Sequence, residues 1–86
     1  MPDYRITFAR SAVRELQRLD PPVSRRILDI IERLAKTPRP SGCIKLTGSQ
    51  DEWRIRVGDW RVLYTVDDPT QVVDIAAVRH RSDAYR

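Results

Sequence analysis

Residues 4–8, Tyr-Arg-Ile-Thr-Phe, alternate in polarity, with Tyr4, Ile6 and Phe8 on one side and Arg5 and Thr7 on the other. A period of two is that of a half-buried strand. The period then lengthens. Ala12, Leu16 and Leu19 recur at helical spacing with Val13 beside them, while Arg10, Arg14 and Arg18 return every four residues on another face. Residues 9–19 therefore predict a short amphipathic helix. Asp20-Pro21-Pro22 ends it and can start a second, with Asp20 as N-cap and Pro21 at the first helical position, where a missing N–H costs nothing. Val23, Ile27, Ile30, Ile31 and Leu34 form the second apolar stripe, and Thr37-Pro38-Arg39-Pro40-Ser41-Gly42 breaks it.

The remainder reads as strand. Ile44-Lys45-Leu46 is a short, weak candidate before the turn-like Thr47-Gly48-Ser49-Gln50. Residues 53–57 alternate, and so do residues 60–66 apart from Leu63, with Gly58-Asp59 between them as a two-residue hairpin loop. Asp67-Asp68-Pro69-Thr70 makes the next turn. Residues 72–78 are largely apolar, as in a central strand, and residues 79–86 read as a polar tail. The expected fold is α+β, with two N-terminal helices packed on a mostly antiparallel four-stranded sheet. At 86 residues, the chain is expected to form one domain over 1–86.

The hairpin loop sets a register. Val57 lies opposite Trp60, Arg56 opposite Arg61, Ile55 opposite Val62 and Arg54 opposite Leu63. Trp53, Ile55, Val57, Trp60, Val62, Tyr64 and Val66 then share an apolar face that must pack against the helices. Arg54, Arg56 and Arg61 share the other. Directly opposed like charges in a sheet are unfavourable, so three guanidiniums gathered there favour an anion between them. The alternative is an ordinary solvated strand face whose long side chains splay apart.

Charge sharpens this picture. Of 16 basic residues only Lys36 and Lys45 are lysine, and arginine matches phosphate with a rigid fork of donors. Residues 1–46 carry +5 and residues 47–86 carry −1, from ten basic and five acidic groups against six and seven. Net charge alone points to the first half as a nucleic-acid surface; placement favours the second. His80, the only histidine, sits between two arginines, where a lone histidine is more often a surface residue than a catalyst. Asp67-Asp68 is explained by a turn. The single Cys43 forms no internal disulfide or cysteine-rich zinc site. No cofactor or metal is expected. No apolar run approaches the roughly 20 residues of a membrane helix, and the N-terminus lacks a signal-peptide core. The expected location is the cytoplasm.

Several blocks together carry a resemblance. Arg14-Glu15-Leu16-Gln17-Arg18-Leu19, Lys45-Leu46 before a glycine turn, the hairpin 53–64 and the closing Val78-Arg79-His80-Arg81-Ser82-Asp83-Ala84-Tyr85-Arg86 resemble the RelE/ParE superfamily of type II toxins, more closely its RelE branch. The resemblance implies a metal-independent endoribonuclease that cuts messenger RNA in the ribosomal A site by attack of the ribose 2′-hydroxyl. It implies a cognate antitoxin as partner, the ribosome with its message as target, and operator DNA contacted only through the antitoxin. It makes Arg56, Arg61, Arg79 and Tyr85 the catalytic candidates: arginines around the phosphate, Arg79 at the leaving oxygen, Tyr85 stacked on a base. Arg54, Lys45, Arg81 and His80 become RNA contacts.

The sequence departs from the best-known RelE members in having arginine, not lysine, at positions 54 and 56. Arginine does not shed its proton, so these two can neutralise a phosphorane but cannot act as bases. The alternatives are a ParE-like inhibitor of DNA gyrase, or a degenerate homologue that only binds its antitoxin.

Overall fold

In the computed structural model, which describes residues 3–46, 48 and 51–82, the predicted segments become seven elements. They are β1 (Arg5–Phe8), α1 (Arg10–Gln17), α2 (Pro21–Arg33), β2 (Ile44–Lys45), β3 (Glu52–Val57), β4 (Trp60–Asp67) and β5 (Val72–His80). The sheet has five strands, not the expected four, in the order β1-β5-β4-β3-β2. The extra strand is Ile44–Lys45, whose two residues pair with Arg54 and Trp53. Too short to show a period, it exists because β3 offers it an edge. β1 pairs parallel with β5, and every other pairing is antiparallel.

Alternation decides which face is buried. Val57, Val62, Tyr64, Val66, Val73, Ile75 and Val78 join Ala12 and Leu16 of α1 and Ile27, Ile31 and Leu34, from α2 and its C-cap, in one core. Asp20 precedes α2 in an extended conformation with Pro21 at its start, and its side chain makes no capping bond. Tyr64 is fully buried and donates its hydroxyl hydrogen bond to the Pro38 carbonyl at 2.8 Å. Burial, with Cys43 nearby, raises its phenol far above the ordinary tyrosine range.

A second latch closes the turn-rich end. Arg39 makes two hydrogen bonds to the Asp68 carboxylate, at 3.2 and 2.9 Å, and Tyr4 donates to Asp68 at 2.6 Å. Arg39 also lies over the Trp53 ring, 5.3 Å from its centroid.

β5 is longer than its apolar run. Arg79 and His80 belong to the strand, not to a tail, because they pair with Arg61 and Trp60. The β4–β5 register shifts by one between Leu63 and Tyr64, since Leu63 pairs with Ala77 but Tyr64 with Ile75. Ala76 is the extra residue, a β-bulge. Before it, Val73 and Ile75 point to the core; after it, Val78 does, which explains why residues 72–78 do not alternate.

β1 ends at Phe8, opposite Ile75, leaving the later half of β5 without a strand on that side. Helix α1 takes over that edge. Ser11 donates to the Ala76 carbonyl at 2.9 Å, and Glu15 Oε1 accepts from the Val78 N–H at 2.9 Å. The bulge's spare polar groups are thereby satisfied. Among the described residues, no helix is long and apolar enough to cross a membrane.

Candidate functional site: an arginine row on the open face of the sheet

The β3–β4 hairpin has the register its loop predicts, with Arg56 opposite Arg61, Ile55 opposite Val62 and Arg54 opposite Leu63. Gly58 takes a positive φ of 61°, while Asp59 does not. This combination is the two-residue turn whose twist matches the flanking strands. Arg54, Arg56 and Arg61 therefore lie on the face away from the helices.

The bulge brings in a fourth. Past Ala76, Arg79 stands directly opposite Arg61, which itself stands opposite Arg56. Three arginines from three adjacent strands form one row across the sheet. Were the ladder regular through Ala76, Arg79 would pair with Trp60 and point towards the helices. Arg61, at the centre, is 6% exposed and is the one charged side chain buried among the described residues. Three like charges side by side make the space above the row favourable for an anion.

The space is there. A cleft of about 480 Å³ is lined by Arg56, Gly58, Asp59, Arg61, Arg81 and Ser82. Arg81 follows β5 and reaches it through the hairpin turn, its N–H bonding the Asp59 carbonyl at 2.8 Å and its guanidinium 4.0 Å from the Asp59 carboxylate. Arg79 lines a neighbouring hollow of about 220 Å³ floored by Leu63, Ala76 and Ala77. Its Nε lies 3.7 Å from Glu15 Oε2. Glu15 thus steadies the Val78 backbone with one oxygen and faces Arg79 with the other. Arg54 adjoins the row, its Nε buried and without a hydrogen-bond partner among the described residues.

Other candidates fall elsewhere. His80 pairs with Trp60 and shares the helix-side face, its ring edge-on to the indole with centroids 5.2 Å apart and planes at 82°. Its Nδ1 lies 2.9 Å from Ser82 Oγ. Lys45 pairs with Trp53 at the edge of the sheet and is also turned from the row. Tyr85 lies outside the described residues. Among those residues, no group of three or more His, Cys, Asp or Glu side chains could hold a metal ion.

Two residues escape a reading of the sequence as strands and charges. Asp59 is a turn residue by composition, and only the turn's contact with Arg81 makes it part of the cleft. Glu15 is a polar position on an amphipathic helix, and nothing local reveals that it caps a strand 63 positions away.

Comparison with known proteins agrees with this architecture. A family described as "ParE toxin of type II toxin-antitoxin system, parDE" matches residues 6–85. Toxin RelG of Mycobacterium tuberculosis is 30% identical over 84 residues, covering 96% of this chain and 97% of its own. Toxin RelE of the same organism is 29% identical over 84 residues, covering 96% and 87%. Among solved structures, the archaeal RelE-RelB complex from Pyrococcus horikoshii superposes with a TM-score of 0.82 at 33% identity, over 92% of this chain and 96% of the other. The isolated E. coli RelE toxin gives a TM-score of 0.80 at 27% identity, over 95% and 90%. A family match spanning the whole sheet, with relatives of the same length and the same fold, places this chain in the RelE/ParE superfamily of toxins of type II toxin-antitoxin systems.

Proposed function

We propose that this chain is a ribosome-dependent endoribonuclease that cuts messenger RNA in the A site. The observation that carries the reading is the row Arg56–Arg61–Arg79, one arginine from each of three adjacent strands, beside a cleft open to a phosphate backbone. In the proposed reaction the 2′-hydroxyl oxygen attacks the neighbouring phosphorus. The P–O2′ bond forms, the P–O5′ bond breaks, and the products are a 2′,3′-cyclic phosphate and a 5′-hydroxyl. Arg56 and Arg61 hold the scissile phosphate and offset the charge that builds on its non-bridging oxygens, the kind of preorganised electrostatic help that contributes most in many enzymes. Arg79 donates a hydrogen bond to the departing 5′-oxygen, which takes its proton from solvent or from a group on the ribosome. Arg54 and Arg81 support the backbone on either side. Tyr85 stacks on a base and aligns the attacking oxygen, where small misplacement is costly.

Among the described residues no side chain of the row serves as a base: arginine does not shed its proton, and His80 is on the opposite face. The 2′-hydroxyl proton leaves to solvent or to a group on the ribosome, which also supplies order to the message. Naked RNA is therefore a poor substrate.

The proposed partner is an antitoxin. A groove of about 470 Å³ lined by Phe8, Val13, Leu16, Leu19, Pro21 and Leu28 offers apolar surface beside the arginine-bearing helices. Phe8 and Val13 are each 39% exposed. An antitoxin segment that covers such apolar surface and brings carboxylates to the arginine row would both shield and block, with an affinity that falls as salt rises. The relatives solved with RelB support this reading. Operator DNA is contacted through the antitoxin only.

The ParE description of the matching family keeps a second reading, inhibition of DNA gyrase, on the same scaffold. One experiment separates them. Purified protein is added to programmed ribosomes and message ends are mapped, with a gyrase supercoiling assay in parallel. Cleavage within the A-site codon, lost in Arg61→Ala, is the expected result. Intact message with blocked supercoiling turns the assignment to gyrase.

A further inference from the structure

The arginines of the first half of the chain, source of its +5 charge, take no part in the row. One of them reaches its border. Arg26 on α2 extends over the β3–β4 turn, where a Cβ added at Gly58 would lie 3.6 Å from its Nη1 and 3.8 Å from its Nη2. Among the described residues Arg26 has no ion-pair partner. Beside it is a notch of about 270 Å³ between α2 and the turn, lined also by Val23, Ile27, Val57 and Trp60. Ile27 is fully buried and Val57 nearly so, which makes a firm apolar floor. Trp60 is only partly buried, and the edge-on contact with His80 steadies its ring.

This combination is selective. An aliphatic ligand has no use for the cation, and a bare phosphate has no use for the indole. An unpaired base with its phosphate uses both, by stacking and by charge. The notch also shares Gly58 and Asp59 with the arginine cleft. The turn is thus a ridge between two adjoining hollows, kept low by a residue with no side chain. The Asp59 carboxylate on that ridge faces the Arg81 guanidinium at 4.0 Å, which offsets its charge towards a passing strand.

We infer that this notch is a nucleotide subsite: Trp60 takes an unpaired base, Arg26 takes the phosphate beside it, and one RNA strand runs from the arginine cleft around the Gly58–Asp59 turn. The inference rests on the reading of the cleft as an RNA-backbone site and extends that site by one nucleotide. It gives His80 a role as a buttress for the stacking ring.

The test needs no cleavage. Trp53→Phe leaves Trp60 as the sole tryptophan of the two. The change is tolerable because the Trp53 indole N–H is buried without a hydrogen-bond partner among the described residues. This variant is titrated at low salt with a single-stranded RNA hexamer while Trp60 fluorescence is followed. Quenching is expected with RNA and not with inorganic polyphosphate, which has the charge without the bases. Arg26→Ala, an exposed substitution, should weaken binding and lower the slope of log affinity against log salt by about 1. Bound RNA with unchanged Trp60 emission, equal quenching by polyphosphate, or an unchanged salt slope in Arg26→Ala overturns the subsite. Quenching that persists while ribosomes show no message cleavage keeps the subsite and removes the endoribonuclease reading. Message cleavage without quenching does the reverse.

Discussion

The two faces of the sheet are made from alternate residues of the same strands, yet they answer to different physics. On one, Val62, Val66, Val73, Ile75 and Val78 are fully buried under the helices with Ile27 and Ile31. Their contribution is non-directional and grows with area removed from water. On the other, Arg56, Arg61 and Arg79 are brought side by side although like charges opposite one another weaken a sheet. Helix burial on the first face carries the cost of crowding on the second. The lesson is that the row is a site held in place by the core, and changes on the two faces should separate into stability and chemistry.

The sharpest way to break that separation is to mutate one residue from each face. Ile75→Ala should lower unfolding free energy by about 2–5 kcal/mol, measured by urea denaturation. Arg61→Ala should slow single-turnover message cleavage on ribosomes by an amount near 3 kcal/mol, roughly a hundredfold. Arg61→Met keeps the aliphatic stem and should lose the same rate with a urea midpoint near the parent's. Parent-level cleavage by Arg61→Met would end the phosphate-clamp assignment.

The bulge offers a test of whether the row needs it. Deleting Ala76 closes the ladder with every pair kept, Val78 opposite Val62 and Arg79 opposite Arg61. The loss of the Ser11 hydrogen bond to the Ala76 carbonyl should cost about 1 kcal/mol, and cleavage should stay near the parent's while Arg79→Ala loses it. A deletion variant as slow as Arg79→Ala shows that the bulge itself, and not the pairing of Arg79 with Arg61, is what cleavage needs.

A finer comparison lies within Glu15. Glu15→Ala leaves the Val78 N–H without its acceptor and should cost about 1–3 kcal/mol, with faster hydrogen exchange at that amide. Glu15→Gln retains an acceptor there and removes only the charge facing Arg79, so exchange should stay slow. Equal exchange in the two variants would mean that the hydrogen bond does not protect the edge.

The smallest effect belongs to the turn-rich end, far from both. Hydrogen bonds from Arg39 first and then Tyr4 hold the Asp68 carboxyl below its ordinary pKa. A depressed folded-state pKa stabilises above the unfolded value and is lost as pH falls through the folded one. Asp68→Asn should therefore flatten the acid side of the stability profile, read as urea midpoints between about pH 2 and pH 5, and leave cleavage unchanged. Because Asp68 is exposed and screened, the change should be small. An acid limb as steep as the parent's would assign the titration to another carboxylate.

Much of this molecule was legible along the chain because the deciding interactions were local. Period two and period 3.6 separate strand from helix within a few residues, Asp20-Pro21 marks a helix start, and a two-residue loop at Gly58-Asp59 dictates the pairing of Arg56 with Arg61 with no help from the rest of the fold. What tertiary structure decided was every feature made between distant segments. Ile44–Lys45 is a strand because β3 has a free edge, and Arg79 and His80 are strand because β4 begins opposite them. Arg79 faces Arg61, and not the helices, because one extra residue at Ala76 shifts the register of β5. That shift can persist because α1, placed by the parallel pairing of β1 with β5, brings Ser11 and Glu15 to the polar groups the bulge leaves open. Side-chain periodicity reports which residues want to be buried; it carries no record of which strand will be opposite, and the face an arginine presents depends on both.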